Sequence, residues 1–177
     1  ALDAYLMHVH PHPGAGGVPG AAVVVPGGSS LAKSRARAGA VIDLLPVAAG
    51  QTVLVVGVVN SLLEQLRERG IGYVPCDLAG GYTEWDEPVC TSALEQVDRC
   101  DALLITGMTL GNATFGALLG RARSAGLPVV VFAQSGSAVL PWFIGAPGVY
   151  AVSAEPYPFF SLDGGTSTLF HYRGRCS

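Results

Sequence analysis

Charged residues are scarce in this sequence. Only 13% of the 177 residues are Asp, Glu, Lys or Arg, whereas 50% are apolar, and the formal net charge is −3. A chain without a basic excess has no electrostatic footprint for nucleic acid or for an anionic membrane surface, so we expect neither among its partners. A surface with so little charge is typical of an interface, and we therefore expect a homodimer or a missing partner module.

Long hydrophobic runs and targeting signals are also lacking. No apolar run reaches the roughly 18 residues that a membrane-spanning helix requires, and the longest candidate, 125–133, is interrupted by Gly126 and Pro128. The N-terminus has neither the basic region nor the apolar core of a secretory signal. The sequence starts at Ala1 without an initiator Met, so we expect it to be part of a longer gene product.

The four cysteines show no paired spacing. Cys76, Cys90, Cys100 and Cys176 form no C-x-x-C motif, which argues against a zinc ribbon and against a disulfide framework. We therefore expect a reducing, cytoplasmic environment.

Glycine and proline, by contrast, are abundant, with 24 and 12 residues. They follow no repeat period, which excludes a collagen-like chain and predicts many tight turns between short elements. Apolar runs at 52–56, 71–74, 101–105 and 128–132 predict buried strands, and helices are predicted at 62–69 and 113–124. This alternation predicts an α/β fold, namely a three-layer, Rossmann-like domain with a mostly parallel sheet.

The first part of the chain lacks this regularity. We interpret residues 1–20 as an irregular arm, 22–25 as a short strand, and the segment from Ser29 or Ser30 to about Leu45 as a helix. We therefore divide the chain into an N-terminal module, 1–48, and a Rossmann-like domain, 49–177. A short helix at 90–98 and late strands at 149–152 and 167–170 complete the prediction.

Four polar or glycine-rich segments follow the predicted strands, at 57–61, 76–77, 106–112 and 134–137. In an open parallel sheet, ligands bind beyond the carboxyl ends of the strands. We therefore predict that these segments surround one shared cleft. The predicted ligand-binding residues are Gly57, Asn60, Asp77, Thr106, Gly107, Thr109, Asn112, Gln134, Ser135 and Ser137.

The first two segments bear on nucleotide binding. The segment 57–61 is not a dinucleotide fingerprint, because it has one glycine where G-x-G-x-x-G requires three. Asp77 nevertheless lies twenty positions beyond Gly57, where an acid would bind the hydroxyls of a ribose, as in S-adenosylmethionine. The alternative is that Asp77 forms an Asx-turn before two glycines.

The third and fourth segments combine glycine with hydroxyl and amide side chains. Gly107 suits a backbone conformation barred to other residues, and Thr109 or Asn112 can cap the following helix and face a ligand. The alternative is capping alone. Ser135 lacks the G-x-S-x-G pattern of a hydrolase nucleophile.

Three histidines alternate in the N-terminal arm. On an extended backbone, His8, His10 and His12 would place their imidazoles on one face. Neutral imidazole binds divalent transition metals such as zinc, copper and nickel. We therefore predict these three residues as metal ligands. The alternative is that the three histidines are close together by chance in a flexible arm.

Two stretches of the chain resemble a known bacterial and archaeal family. They read DALLITGMTLGNATFGALL at 101–119 and PVVVFAQSGSAVLPWFIGAPGVYAVSAEPY at 128–157. Both resemble the domain of unknown function 364, also called the putative heavy-metal chelation domain, over about residues 50–160. The matching positions are Thr106, Gly107, Thr109, Asn112, Thr114, Ser135 and Pro141.

The resemblance implies a Rossmann-like carboxyl-terminal domain behind a smaller domain similar to the first domain of enolase, and a metal or chelate role. This chain departs from the family pattern in two ways. Only about fifty residues precede the Rossmann-like part, and the segment after the first buried strand reads G-V-V-N where many members have an aromatic-proline pair.

The sequence contains no recognisable nucleophile with its general base and no complete cofactor fingerprint. We therefore predict a protein that binds a small anionic molecule, a divalent transition metal or a metal chelate at the strand ends. The alternatives are an enzyme of specialised metabolism with a nucleoside-bearing ligand such as S-adenosylmethionine, and a partner-bound scaffold.

Overall fold

The computed structural model describes residues 1–145, 148–157 and 164–174. Its centre is a seven-stranded sheet with the order β1-β7-β6-β5-β4-β2-β3. The strands are β1 Ala21–Val25, β2 Thr52–Val56, β3 Gly72–Cys76, β4 Ala102–Thr106, β5 Val129–Ala133, β6 Val149–Ala154 and β7 Ser167–Arg173. Strands β3, β2, β4, β5 and β6 pair in parallel, and β7 is antiparallel to both of its neighbours.

Helices cover both faces of this sheet. They are α1 Leu2–Val9, α2 Ser30–Ile42, α3 Asn60–Glu68, α4 Met108–Gly111 and α5 Phe115–Ser124. Short 3-10 helices span Ala15–Gly17, Val97–Arg99 and Leu140–Phe143. Helices α2 and α3 pack on one face and α5 on the other. The prediction of a three-layer α/β fold with a mostly parallel sheet is therefore confirmed.

The sequence pattern of β2 explains why both faces are covered. Successive side chains of a strand project to opposite faces. Val53 and Val55 accordingly pack with α2 and α3, whereas Leu54 and Val56 pack with α5. All four are buried, so this β-branched, apolar run suits a strand that is enclosed on both sides.

Residues 1–48 join the same sheet. Strand β1 is an edge strand paired with β7, and Ser29 caps α2 by accepting a hydrogen bond from the Ala32 N–H, at 3.2 Å. None of the helices in the described part of the chain has the length and hydropathy needed to cross a bilayer.

Two sequence-based expectations about local structure were wrong. Residues 2–9 are helical rather than irregular, because the helix-breaking prolines and glycines of the arm all lie from Pro11 onward. Residues 90–96 are not helical, and only the short 3-10 helix Val97–Arg99 reaches into the predicted segment 90–98. The backbone of Cys90 instead pairs with the end of β3, since its N–H donates to the Pro75 carbonyl and its carbonyl accepts from the Asp77 N–H, both at 2.9 Å.

Candidate functional site

The strand order creates a switch point between β2 and β4. From β2 the chain adds β3 on one side and then crosses to add β4 and β5 on the other. Ligands of open α/β sheets bind in the crevice outside the carboxyl ends of the strands at such a point. A cleft of about 630 Å³ lies there, lined by the segments that follow β2, β3 and β4. We call it the switch-point cleft.

Gly57 brings the ends of β2 and β4 close together. Its φ is +89°, and a Cβ on it would lie 2.4 Å from Cγ2 of Thr106. A side chain at position 57 would therefore overlap the neighbouring strand end. The backbone itself forms this part of the cleft wall.

The polar lining of the switch-point cleft comes from three segments. Its side chains with hydroxyl, amide or carboxylate groups include Asp77, Thr91, Ser92, Asn112 and Thr114. Among the described lining residues, Asp77 is the only one that carries a charge. The rest of the wall is apolar, with Leu78, Leu94 and Leu118. The described lining thus offers hydroxyl, amide and carboxylate groups on an otherwise apolar wall.

Asp77 lines this cleft and also forms the turn that was the alternative to a ribose contact. Its Oδ1 accepts a hydrogen bond from the Ala79 N–H at 3.0 Å, and the Gly80 N–H donates to its carbonyl, also at 3.0 Å. The Asx-turn is thus present. It fixes the orientation of the carboxylate at the mouth of the cleft.

The Thr106–Asn112 segment is partly helical, as α4. Thr109 is only 1% exposed, and its hydroxyl donates to the Thr106 carbonyl at 2.7 Å. Oδ1 of Asn112 accepts from the Thr114 N–H at 3.2 Å and from its hydroxyl at 2.7 Å. The Thr109 hydroxyl thus donates to the backbone from inside α4 and does not cap it, whereas Asn112 accepts from the backbone just before α5. Both residues also line the switch-point cleft.

A second cleft of about 400 Å³ lies beside the first, between the carboxyl ends of β4 and β5 and the helices α2 and α3. Thr106, Gly107, Gln134 and Ser135 of the predicted set line it, together with Arg37. We call it the arginine cleft. Gly107 lines it with an ordinary helical backbone, φ −59° and ψ −17°, so the expectation of a conformation barred to other residues was wrong. Glycine is required there by space, because a Cβ would approach Ala133 Cβ to 2.6 Å and the Ser135 carbonyl oxygen to 2.9 Å.

A buried carboxylate organises the arginine cleft. Glu155 is 2% exposed and accepts two hydrogen bonds from the Arg37 guanidinium, at 2.6 and 2.8 Å. It also accepts from Gln134 Nε2 at 2.8 Å and from the Ser167 hydroxyl at 3.3 Å. The charge of Glu155 is therefore neutralised and its oxygens are saturated by the protein itself.

The two clefts share the wall formed by Val59, Thr106 and Met108. Met108 is 70% exposed and follows Gly107 at the start of α4. The predicted segments thus meet at one rim of the sheet, but this wall divides the space between them. Asp77 lies in the switch-point cleft, and Gln134 and Ser135 lie in the arginine cleft.

Two predicted residues line neither cleft within the described part of the chain. Asn60 is the exposed first residue of α3. Ser137 is 1% exposed and belongs to the turn after β5. Asp3 of α1 binds this turn, because its carboxylate accepts from the Gly136 N–H at 3.0 Å and the Ala138 N–H at 2.8 Å.

The extended backbone expected for the three histidines is not present. His8 lies within α1, and His10 follows it and packs edge-on against Trp142. His12 stacks on Phe170 with ring centroids 4.8 Å apart, and burial lowers its pKa. In residues 1–145, 148–157 and 164–174, no group of three or more His, Cys, Asp and Glu side chains is arranged to hold a metal ion.

Cys76 lies at the floor of the switch-point cleft. It is 1% exposed, as expected of a buried cysteine that fills space. Burial and the neighbouring Cys90 thiol raise the pKa of Cys76 to about 12. Its thiol is therefore protonated and unreactive toward electrophiles at neutral pH.

Sequence reasoning missed the Arg37–Glu155 pair. The two residues are 118 positions apart, and neither lies in a recognisable motif. A single signal was available, the acidic Glu155 directly after the apolar run of β6.

The family assignment follows from a direct comparison. The model of the family DUF364, described as "Putative heavy-metal chelation", matches residues 40–132, just over half of the chain. The chain belongs to this family. The resemblance found in the sequence is thereby confirmed. No curated protein matches the chain.

Solved structures share the fold of this DUF364 protein. A probable N-succinyldiaminopimelate aminotransferase from Thermus thermophilus has a TM-score of 0.58 at 15% identity, covering 96% of this chain and 48% of that one. A serine palmitoyltransferase variant from S. paucimobilis with a bound PLP–myriocin aldimine has a TM-score of 0.52 at 15% identity, covering 98% and 42%. A DUF364 protein of unknown function from Pyrococcus horikoshii has a TM-score of 0.49 at 14% identity, covering 79% and 66%.

The chain spans about half the length of the first of these structures. At identities of this size, the likeness to the two larger enzymes concerns the fold alone. The likeness supports the α/β architecture. Any function has to be argued from the residues that line the two clefts.

Proposed function

We propose that this DUF364 protein binds a small molecule, a metal chelate in the first instance, in the switch-point cleft. One observation carries the proposal. The 630 Å³ cleft coincides with the change in strand order between β2 and β4, and its polar side chains converge from the ends of β3 and β4 and from residues 91–92. This combination of position, volume and polar lining is typical of small-molecule sites in α/β proteins.

The donor set of the cleft favours a chelate over a bare divalent ion. Structural zinc sites take four protein ligands, and catalytic ones take three. No such group exists among the described residues. A metal that arrives with its own organic ligands needs only a fitting cavity and one or two outer contacts, which Asp77 and Asn112 supply.

The charge of the lining selects among chelates. Because Asp77 is the only charged residue among the described lining residues, a neutral or cationic complex is favoured over an anionic one. Of the ligands predicted from the sequence, a small anionic molecule is therefore disfavoured, and an uncharged or positive metal chelate is favoured. Arg37 in the neighbouring arginine cleft does not change this preference for an uncharged or positive ligand, because its charge is neutralised by Glu155.

A ligand screen with one substitution tests the proposal. Asp77→Asn keeps an oxygen that can accept from the Ala79 N–H, so the turn is preserved and only the charge is removed. Asp43→Asn is the matched control, because Asp43 is 68% exposed and pairs with Arg69 away from the cleft. The probes are the neutral bis-histidine complex of nickel and the anionic ferric citrate complex, measured by calorimetry.

We expect binding of the neutral complex, weakened about tenfold or more by Asp77→Asn, which is the range of a hydrogen bond to a charged group. The Asp43→Asn protein is expected to bind as the unsubstituted chain does. Tighter binding of ferric citrate, or equal effects of the two substitutions, would contradict the proposal. Elemental analysis and mass spectrometry of material that co-purifies with the protein give an independent readout.

A nucleoside-bearing ligand is the second candidate. It is favoured by the placement of Asp77 after β3, in the same cleft as the close approach at Gly57. S-adenosylmethionine, whose sulfonium is cationic, matches the charge of the lining. A thermal shift with S-adenosylmethionine and adenosine that Asp77→Asn removes would support this candidate, and an unchanged melting temperature with both would count against it.

Pyridoxal phosphate does not fit this chain as a Schiff-base cofactor. That linkage needs a lysine amine, and Lys33 is the only lysine in the sequence. It is 5% exposed, its ammonium donates to the Gly165 carbonyl, and it lines neither cleft.

A homodimer, a partner-bound scaffold and the cytoplasmic location stay predictions from composition. Light scattering on the purified chain tests the dimer. If the chain is a scaffold without a ligand, neither the two metal complexes nor S-adenosylmethionine and adenosine are expected to change its melting temperature.

A further inference from the structure

Two cysteines distant in sequence lie side by side at the end of β3. Cys76 and Cys90 form an isolated parallel bridge, held by the two 2.9 Å backbone hydrogen bonds on either side of it. Partners in such a bridge project their side chains to the same face of the sheet. Both thiols accordingly pack in the apolar cluster on the α5 face.

The thiol pair adjoins the switch-point cleft. Cys76 lines the cleft, and Cys90 is only half-buried. A third cysteine, Cys100, belongs to the same apolar cluster, but its thiol donates to the Gln96 carbonyl at 3.4 Å and it does not line the cleft. A small cation therefore reaches the pair at Cys76 from the cleft, and at Cys90 through the partial exposure of that residue, whereas Cys100 is buried and has its own backbone partner.

We propose that Cys76 and Cys90 form a two-coordinate site for a soft, thiophilic cation, Cu(I) in the first instance. Thiolate sulfur selects Cu(I) over harder ions, and two sulfurs suffice because Cu(I) forms linear bis-thiolate complexes. Zinc, by contrast, takes four ligands in structural sites. The absence of any three-residue donor group among the described residues thus disfavours zinc and leaves a two-coordinate ion.

The coordination step requires no oxidant or reductant. One Cu(I) ion replaces the two thiol protons, two copper–sulfur bonds form, and two protons leave to solvent. The product carries one net negative charge, which is one less than the bare dithiolate would carry in the same apolar surroundings. The metal therefore lowers the cost of deprotonating a buried pair.

This inference does not depend on the chelate proposal. The chelate would occupy the volume of the switch-point cleft beside Asp77, whereas Cu(I) would lie between two side chains at its floor. Either can fail while the other holds, since Asp77→Asn affects the first and the cysteine substitutions affect the second.

The test is an anaerobic titration of the reduced chain with Cu(I) against a colorimetric Cu(I) chelator. We expect one tightly held Cu(I) per chain. Cys76→Ser and Cys90→Ser are each expected to lower the affinity about 100-fold or more, because even outer partners of metal ligands contribute 10–100-fold. Cys100→Ser is the matched control, a buried cysteine of the same cluster, and is expected to bind Cu(I) as the unsubstituted chain does.

A cysteine variant that fails to fold would also lose Cu(I) binding, so a second measurement uses the unsubstituted chain. Prolonged alkylation, in which buried thiols react each time the chain opens locally, is followed by peptide mass spectrometry and shows which thiols Cu(I) protects. We expect protection of Cys76 and Cys90, with Cys100 reacting at its metal-free rate. Protection of Cys100, or of Cys176, which lies outside the described residues, would overturn the assignment, as would the absence of stoichiometric Cu(I) binding.

Discussion

The two clefts lie at the same rim of one sheet and share a wall, yet they use their polar groups differently. In the arginine cleft, the guanidinium of Arg37 and the amide of Gln134 are bound to Glu155. In the switch-point cleft, Asp77 is the single charge among the described lining residues. The first cleft neutralises its charges internally, whereas the second presents several hydroxyls and a carboxylate that accepts from a backbone N–H.

This difference separates a structural role from a binding role. A buried ion pair that is fully hydrogen-bonded fixes the packing of α2 against β6 and contributes little to a ligand. A cleft formed by a bare backbone at Gly57 and by short polar side chains leaves room for an external partner. The comparison therefore predicts that substitutions around the arginine cleft act on stability and that those around the switch-point cleft also act on binding.

The largest expected effect is that of Gly57→Ala. A left-handed backbone costs a non-glycine residue about 1–2 kcal/mol, and overlap of the new Cβ with Thr106, 2.4 Å away, adds about 1–3 kcal/mol. We expect a loss of about 4 kcal/mol in the free energy of unfolding, measured by urea denaturation, together with loss of ligand binding in the switch-point cleft.

Gly50→Ala separates the two causes. Gly50 has nearly the same φ, +87°, but nothing lies within 4 Å of a Cβ placed on it. This control is expected to lose only the backbone part, about 1–2 kcal/mol. Equal losses at positions 50 and 57 would show that the approach of β2 to β4 does not limit the cleft.

The next effect is that of Glu155→Gln. The substitution removes the negative charge that Glu155 presents to Arg37, in a site where the Glu155 side chain is 3% exposed and that of Arg37 is 23% exposed. Breaking a buried pair costs about 3–5 kcal/mol, and the partial exposure of Arg37 places the expected loss near the lower limit, about 3 kcal/mol. Urea denaturation measures it, and ligand affinity in the switch-point cleft should stay unchanged.

The matched control for this pair is Glu64→Gln. Glu64 pairs with Arg35, whose side chain is 52% exposed, so solvent screens the interaction and little change in stability is expected. If Glu155→Gln instead abolished ligand binding while leaving stability intact, the arginine cleft would be the binding site and the comparison would be reversed.

The smallest effect is that of Asp3→Ala. The change removes the carboxylate that accepts from the Gly136 and Ala138 N–H groups, in the turn that follows the arginine-cleft residues Gln134 and Ser135. A hydrogen bond to a charged group contributes about 1.5–3 kcal/mol, and because Asp3 is partly exposed the expected loss lies near the lower limit, about 1.5 kcal/mol. Thermal denaturation measures it.

Asp98→Ala serves as the control for this last effect. Asp98 is 64% exposed and pairs with Arg121 on the surface, so its removal is expected to change stability by less than about 1 kcal/mol. A loss in Asp3→Ala no greater than this would mean that α1 does not hold the turn in solution.

Much of the fold was predictable because it depends on local pattern. The run at 52–56 is a strand as predicted, and the strands predicted at 101–105 and 128–132 are shifted by one residue. Buried parallel strands are uniformly apolar and rich in β-branched residues, so the residue types alone indicate a strand that is buried on both faces. The predicted convergence of polar segments at one rim likewise follows from parallel strands having their carboxyl ends together.

The composition of residues 1–20 misled the prediction of α1. The helix-forming residues of this segment come first, and its prolines and glycines come later. Helix propensity averaged over all twenty residues is therefore low, although the first part is helical. The Asp3 contacts that hold α1 join residues more than 130 positions apart. Local propensity carries no information about such contacts.

The sequence by itself determined the α/β class, the positions of the central strands and the identity of the loops at the strand ends, because each depends on residues close together in the chain. Only the tertiary structure decided that Glu155 neutralises Arg37, that Cys90 lies beside Cys76, and that Met108 and its neighbours divide the rim into two clefts. Those pairings depend on how strands and crossovers are arranged in space, and residues far apart in sequence meet only after the sheet has formed.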